Sequence, residues 1–184
     1  MEAVTVLPYS RPLTRDDLDA MPDDGHRYEL LDGMLIVSPA PRHLHQRAVG
    51  RVFRLLDDAA PADLEALMAP FEVVLAIDTV FQPDLLVAAR EDFTDRDLPA
   101  VPLLAVEVLS PSTRLFDLNT KKARYEQAGV PSYWVIDCDK DAPSVTVWEL
   151  LDGGYAEAGR ATGDETIHVE RPYPVRLCPV DLVS

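Results

Sequence analysis

The run Leu103-Leu104-Ala105-Val106-Glu107-Val108-Leu109 lies between Pro102 and Pro111 and carries one charge among apolar neighbours. Short and bounded by prolines, it predicts a strand buried on both faces. After the turn Ser110-Pro111-Ser112-Thr113 comes a helical stretch ending at Gly129, with Pro131 beyond it, a normal helix stop. Tyr133-Trp134-Val135-Ile136-Asp137 reads as the next strand. Upstream, Gln82-Pro83-Asp84-Leu85-Leu86-Val87 repeats the buried-strand design, with Asp84 as its single acid. A carboxylate inside such a strand is costly unless a cation or a hydrogen-bond donor meets it.

Around this centre the chain reads as one domain over residues 1–184, long enough for a substantial core. Residues 1–12 are punctuated by proline and expected to be extended. Thr14-Arg15-Asp16-Asp17 has the pattern of an N-cap followed by first-turn acids, opening a short helix through Ala20. Asp32-Gly33 between two apolar runs is a strong hairpin signal, so residues 13–38 hold a helix and a hairpin. Val49, Val52, Phe53 and Leu56 form a core-facing stripe, which predicts a helix over residues 42–59. Strand-like runs over 71–77 and 80–88 join around Asp78-Thr79 as a hairpin, and residues 89–102 form a surface connection. Between residues 42 and 137 the order is α, β, β, β, α, β. Residues 144–182 read as short antiparallel strands, completing an α/β fold with a mixed sheet.

Neighbouring strands lie about 4.8 Å apart. Pairing of 80–88 with 103–109 therefore brings Asp84 and Glu107 close together. Two anions so close in a dry setting cannot both stay ionised unaided, so one pKa rises or a cation enters. Hard oxygen ligands without a His or Cys cluster favour Mg2+ or Mn2+ over zinc. The plainer reading is that each acid sits at a strand end and meets solvent or an arginine. A lysine on the next helix weighs against it. At about 100° per residue, with Leu118 as zero, Tyr125 falls near −20°, Lys121 near −60° and Lys122 near +40°. Lys121 thus lies within the face turned toward the sheet, where a lysine snorkels out or meets an anion. Lys122 lies at its border.

The net charge of −15 opposes a nucleic-acid partner, because neutralising phosphates supplies most of that affinity. One local exception exists. Arg47, Arg51 and Arg54 line up on one face of the helix over 42–59, with no acid between Arg42 and Leu56. They form either an ordinary solvated face or a contact with a phosphate backbone. No apolar run is long enough to span a membrane. Cys138 and Cys178 match no zinc or redox pattern, so a disulfide-free cytoplasmic protein is expected.

Tyr28-Glu29-Leu30-Leu31-Asp32-Gly33, Gln82-Pro83-Asp84, Glu107-Val108-Leu109-Ser110-Pro111-Ser112-Thr113, Lys121 with Tyr125, Gly129-Val130-Pro131 and Tyr133-Trp134 occur in this order. With them the chain resembles the Uma2 family of the PD-(D/E)XK nuclease superfamily over about residues 12–180. The resemblance implies a restriction-endonuclease-like αβββαβ core, at about 42–137, which agrees with the order read from the residues. It implies that Asp84 and Glu107 bind metal, together with the Val108 carbonyl. The superfamily lysine would stand two residues after the glutamate, where this chain has Leu109; the resemblance moves that role to Lys121. The helix over 42–56 lacks an accessory acid, and Glu29 resembles the family's substitute, with a structural role as the competing reading. His45 also matches a family position. As a site residue it would contact substrate; as a helix-start histidine it would only cap or face solvent.

The expected function is metal-dependent hydrolysis of DNA by a homodimeric endonuclease. The main alternative is a degenerate interaction or scaffold protein of the same fold, which the net charge supports. A weaker one is a hydrolase using Asp84 and Glu107 as an acid/base pair on a sugar without metal.

Overall fold

A computed structural model describes residues 7–8 and 10–184. Residues 1–6 and 9 of the extended start expected over 1–12 lie outside the described residues. Helix α1 (Arg15–Asp19) is capped by Asp17, whose carboxylate accepts from the Thr14 amide at 2.8 Å and the Thr14 hydroxyl at 3.1 Å. Strands β1 (Arg27–Leu31) and β2 (Met34–Ser38) form the expected hairpin, paired from Arg27 with Ser38 to Leu31 with Met34. Its turn residues Asp32 and Gly33 have φ of 49° and 75°, the left-handed pair that matches strand twist.

Gly33 is constrained twice. A Cβ there would lie 2.4 Å from the Pro12 Cβ, and φ is positive. Gly33→Ala should therefore destabilise the protein by roughly 1–3 kcal/mol. Gly153→Ala is the control, since Gly153 has φ of 83° but open space around it. Urea denaturation should show the larger loss at Gly33; equal losses would mean that the Pro12 contact relaxes freely.

The chain continues through α2 (His43–Ala59), β3 (Leu64–Met68), β4 (Glu72–Ala76), β5 (Thr79–Phe81), β6 (Leu85–Ala89), β7 (Asp97–Leu98) and β8 (Leu104–Leu109). A π-helical segment, Phe116–Lys121, runs directly into α3 (Lys122–Ala128). Then follow β9 (Ser132–Asp137), β10 (Ser144–Leu151), β11 (Gly154–Thr162), β12 (Ile167–Val169), β13 (Val175–Leu177) and α4 (Pro179–Val183). The central sheet has the order β11-β10-β9-β8-β6-β3. It is mixed, with β8 and β9 parallel and the other neighbours antiparallel. A second sheet, β2-β1-β5-β4-β7, carries the hairpin.

All six residues of β8 are buried, and they alternate between two cores. Leu104, Val106 and Val108 pack with Val49, Val52 and Leu56 of α2. Ala105 and Leu109 pack with Leu31, Phe81, Tyr125 and Tyr133 on the other side. Glu107 shares that second face by the period of the strand.

The αβββαβ order holds as α2-β3-β6-β8-α3-β9, but two members differ from expectation. The run over 80–88 splits at Gln82-Pro83-Asp84, sending β5 to the second sheet and β6 to the central one. Pro83 has no N–H to continue a ladder, and the Gln82 amide donates to the Glu29 carboxylate at 2.8 Å instead. The hairpin expected around Asp78-Thr79 forms, but outside the central sheet. The first core strand is β3, Leu-Glu-Ala-Leu-Met, composed of residues that favour helix over strand. Only Ala66 in it is fully buried. The C-terminal strands lie where expected, while α4 was not anticipated. Among the described residues no helix is long and apolar enough to cross a membrane.

Candidate active site

The break before β6 places Asp84. Leu85 faces Val106 across the β6–β8 ladder, so the next step back sets Asp84 against Glu107. Asp84 is 3% exposed and fully engaged. Its Oδ2 accepts from the Val108 amide at 2.8 Å and meets His45 Nε2 at 3.1 Å, while Oδ1 pairs with Arg27 Nη1 at 3.0 Å. Burial alone would push this carboxyl up, but His45, Arg27 and the Val108 amide outweigh it and hold the pKa below the ordinary value.

Glu107 behaves differently. Its Oε1 accepts from Lys121 Nζ at 3.0 Å and from the Tyr125 hydroxyl at 3.2 Å. Burial drives its pKa well up, and the Lys121 ammonium opposes this without cancelling it. Of the two carboxyls, Glu107 is thus the one that holds its proton longer.

Glu29 completes the cluster from β1. Its Oε1 takes the Gln82 amide and Lys121 Nζ, each at 2.8 Å. Its Oε2 is buried with no hydrogen-bond partner among the described residues; Arg27 Nε lies 3.8 Å away. Lys121 is 1% exposed and bridges Glu29 to Glu107. Burial would favour its neutral form, but Glu107 and Glu29 hold the ammonium protonated above the usual lysine range.

The structure therefore brings together Glu29, Asp84, Glu107, Lys121 and His45, with the Val108 amide on Asp84. It does not bring the arginine stripe to them. Arg47 donates to the Ser184 carbonyl at 2.9 Å, and Arg51 to the Asp181 carbonyl and the Ser184 hydroxyl. Arg51 and Arg54 line a separate cleft of about 620 Å³ with Arg176. Arg47 and Arg51 thus brace the end of α4.

Three features were not expected from sequence. Arg27 lies on the same strand face as Glu29, two residues away, and that spacing was the available signal. Asp117 is buried, with its pKa raised by burial against the pull of Lys121. It lies one turn before Lys121 in the π segment, a geometry often found at functional sites. That segment also changes the helical phase assumed above. Lys121 still turns inward, while Lys122 lies over the Trp148 ring at 4.4 Å.

A cavity of about 460 Å³ opens onto Asp84 and is lined also by Arg27, Arg42, His45, Gln46 and Ser110. Glu29, Glu107 and Lys121 lie behind it. The donor set suits a hard divalent cation, with acidic oxygens and one buried carboxylate oxygen unpartnered. Among the described residues no three His, Cys, Asp or Glu side chains form a ready cage. Mg2+ does not require one, since it is commonly held by one or two carboxylates, water and substrate phosphate.

The raised pKa of Glu107 has a measurable consequence. The folded state keeps a proton that the unfolded state has lost, so stability falls as pH rises from the ordinary carboxylate range through the raised pKa. Glu107→Gln should flatten this slope in chelator, leaving a smaller part from Asp117, which is shifted the same way. Asp84, shifted down, acts only at more acidic pH. An unchanged slope in Glu107→Gln, read by urea denaturation across pH, would assign the effect elsewhere.

A family profile, Uma2, described as "Putative restriction endonuclease", matches residues 15–181. Among solved structures the chain is similar to one titled a "putative nuclease belonging to DUF820" from Anabaena variabilis. The TM-score is 0.71 at 19% identity, covering 94% of this chain and 98% of that one. No curated protein matches.

Proposed function

Because the chain belongs to the Uma2 family, we propose that it is a metal-dependent endonuclease hydrolysing DNA phosphodiester bonds at Asp84, Glu107 and Lys121. One observation carries the proposal: a fully buried lysine bridges two carboxylates beside a third, behind a cavity of nucleotide scale. Such concentrated burial of charge costs stability and gains nothing structurally that an apolar core would not supply.

Asp84 and Glu107 would hold Mg2+ or Mn2+, with Glu29 and the Val108 carbonyl as further donors. When bound, such an ion polarises the phosphoryl oxygen and lowers the pKa of attacking water. Lys121, kept charged by its two carboxylates, orients that water and offsets the negative charge that builds on the phosphate. Tyr125 and Lys121 fix Glu107 through its Oε1. Gln82 and Lys121 fix Glu29 in the same way. His45 holds Asp84 from the cavity side, and Arg42 presents its charge to the substrate. The reading includes a cytoplasmic homodimer, in which a second copy would double the basic surface set against the net charge of −15.

The test is the melting temperature in chelator and in excess Mn2+. Mn2+ binds only the folded site, so it should raise the wild-type value and leave Asp84→Asn unmoved. Equal shifts in both would remove the shared site. The scaffold reading is favoured by the acidic net charge alone. It predicts no turnover on any nucleic acid, whatever the metal response.

A further inference from the structure

We infer that Arg27 is a mobile cover over the reaction centre, which leaves its carboxylates for a substrate phosphate and thereby opens the metal site. The inference rests on the nuclease reading above. Among the described residues Arg27 is the one cavity-lining cation that reaches both Asp84 and Glu29. Its Nη1 pairs with Asp84 Oδ1 at 3.0 Å, and its Nε lies 3.8 Å from Glu29 Oε2. Arg27 lines the cavity with its side chain 23% exposed, while Glu29, Glu107 and Lys121 behind it are about 1% exposed.

The contacts differ in quality. Asp84 receives a hydrogen bond, but 3.8 Å is too long for one, so Glu29 Oε2 is left without a donor. A buried carboxylate oxygen in that state is one a closer cation would satisfy. A divalent ion and Arg27 therefore compete for the same oxygens. A phosphate at the cavity floor offers the guanidinium a bidentate partner that matches its fork. Once Arg27 turns to the phosphate, Asp84 Oδ1 and Glu29 Oε2 are free for the metal. Substrate binding thus tightens metal binding, and Mn2+ alone binds the wild type only by displacing Arg27.

Two affinities measured on each protein test this. One is Mn2+ binding to the DNA-free protein by electron paramagnetic resonance. The other is binding of a short fluorescein-labelled duplex in chelator by anisotropy. In Arg27→Gln, Mn2+ affinity should rise about tenfold and duplex affinity should fall about tenfold, the scale of one charge-assisted hydrogen bond. Arg27→Lys, which keeps the charge but not the fork, should shift both in the same directions by less. It is the fallback if Arg27→Gln does not fold.

A merely structural arginine would weaken both affinities together, and that result overturns the inference. Unchanged Mn2+ affinity in either variant overturns it too. If the wild type binds Mn2+ and cleaves DNA while the variants match it, the inference fails and the nuclease reading stands. If the wild type binds neither probe, both fail.

Discussion

Lys121→Met is expected to lower single-turnover DNA cleavage by roughly two to four orders of magnitude, the usual scale for a positioned proton-transfer or charge-stabilising group. Among the described residues its ammonium is the only cation that touches both Glu107 and Glu29. Lys122, the next residue, is the control. It is half-buried over the Trp148 ring at 4.4 Å, away from the carboxylates. Lys122→Ala should leave turnover within a few fold and cost about 0.5–1 kcal/mol of stability through the lost cation–π contact. The two variants will differ in stability as well. Removing Lys121 leaves two buried carboxylates without their shared cation, a loss on the order of 3–5 kcal/mol. Protonation of Glu107, whose pKa is already raised, should soften that loss. Cleavage is therefore compared well below both melting temperatures. Full activity in Lys121→Met under those conditions would remove the lysine from the chemistry.

Asp84→Asn should lower metal-dependent cleavage by about three orders of magnitude, the several kcal/mol that a Lewis-acid ion contributes. Its effect on the metal-free protein reverses what the sequence suggests. Two crowded anions would relax if one were neutralised, so Asn would be expected to stabilise. In the structure Asp84 is held below its ordinary pKa by His45, Arg27 and the Val108 amide. The substitution leaves Arg27 without its hydrogen-bonded acid and should destabilise the protein by roughly 1–3 kcal/mol. Urea denaturation in chelator reads the sign, and a gain in stability would mean that repulsion dominates the pair after all.

The parts of this site that could be read from sequence are those where charge interrupts an apolar pattern. Asp84 and Glu107 stand out because each is the single acid in a mainly apolar run. Lys121 stands out because its helical face must meet the sheet. The Asp32-Gly33 turn stands out because few dipeptides accept two left-handed residues. What stayed hidden had no such contrast. Strand β3 is built from helix-forming residues, and only its pairing with β6 makes it a strand. The split at Pro83 was written in the sequence, since proline cannot continue a ladder, but the apolar run around it hid the signal. Arg27 looked like an ordinary hairpin residue, because its meaning depends on Asp84, which the fold brings to it from 57 residues away. The π segment leaves no periodic trace that separates it from an α-helix over six residues. The arginine stripe shows the converse. A regular pattern on α2 was real, yet two of its members hold the backbone and hydroxyl of the C-terminal segment.

The central claim is hydrolysis of DNA by a metal held at Asp84 and Glu107. Single-turnover cleavage of plasmid DNA at low salt addresses it most directly, with the wild-type protein and Asp84→Asn each assayed in Mn2+ and in chelator. The wild type should cleave in Mn2+ and stop in chelator, and Asp84→Asn should leave the plasmid intact in both. Cleavage that persists in chelator or in Asp84→Asn would contradict the account, as would a wild-type protein that binds Mn2+ and leaves the DNA whole.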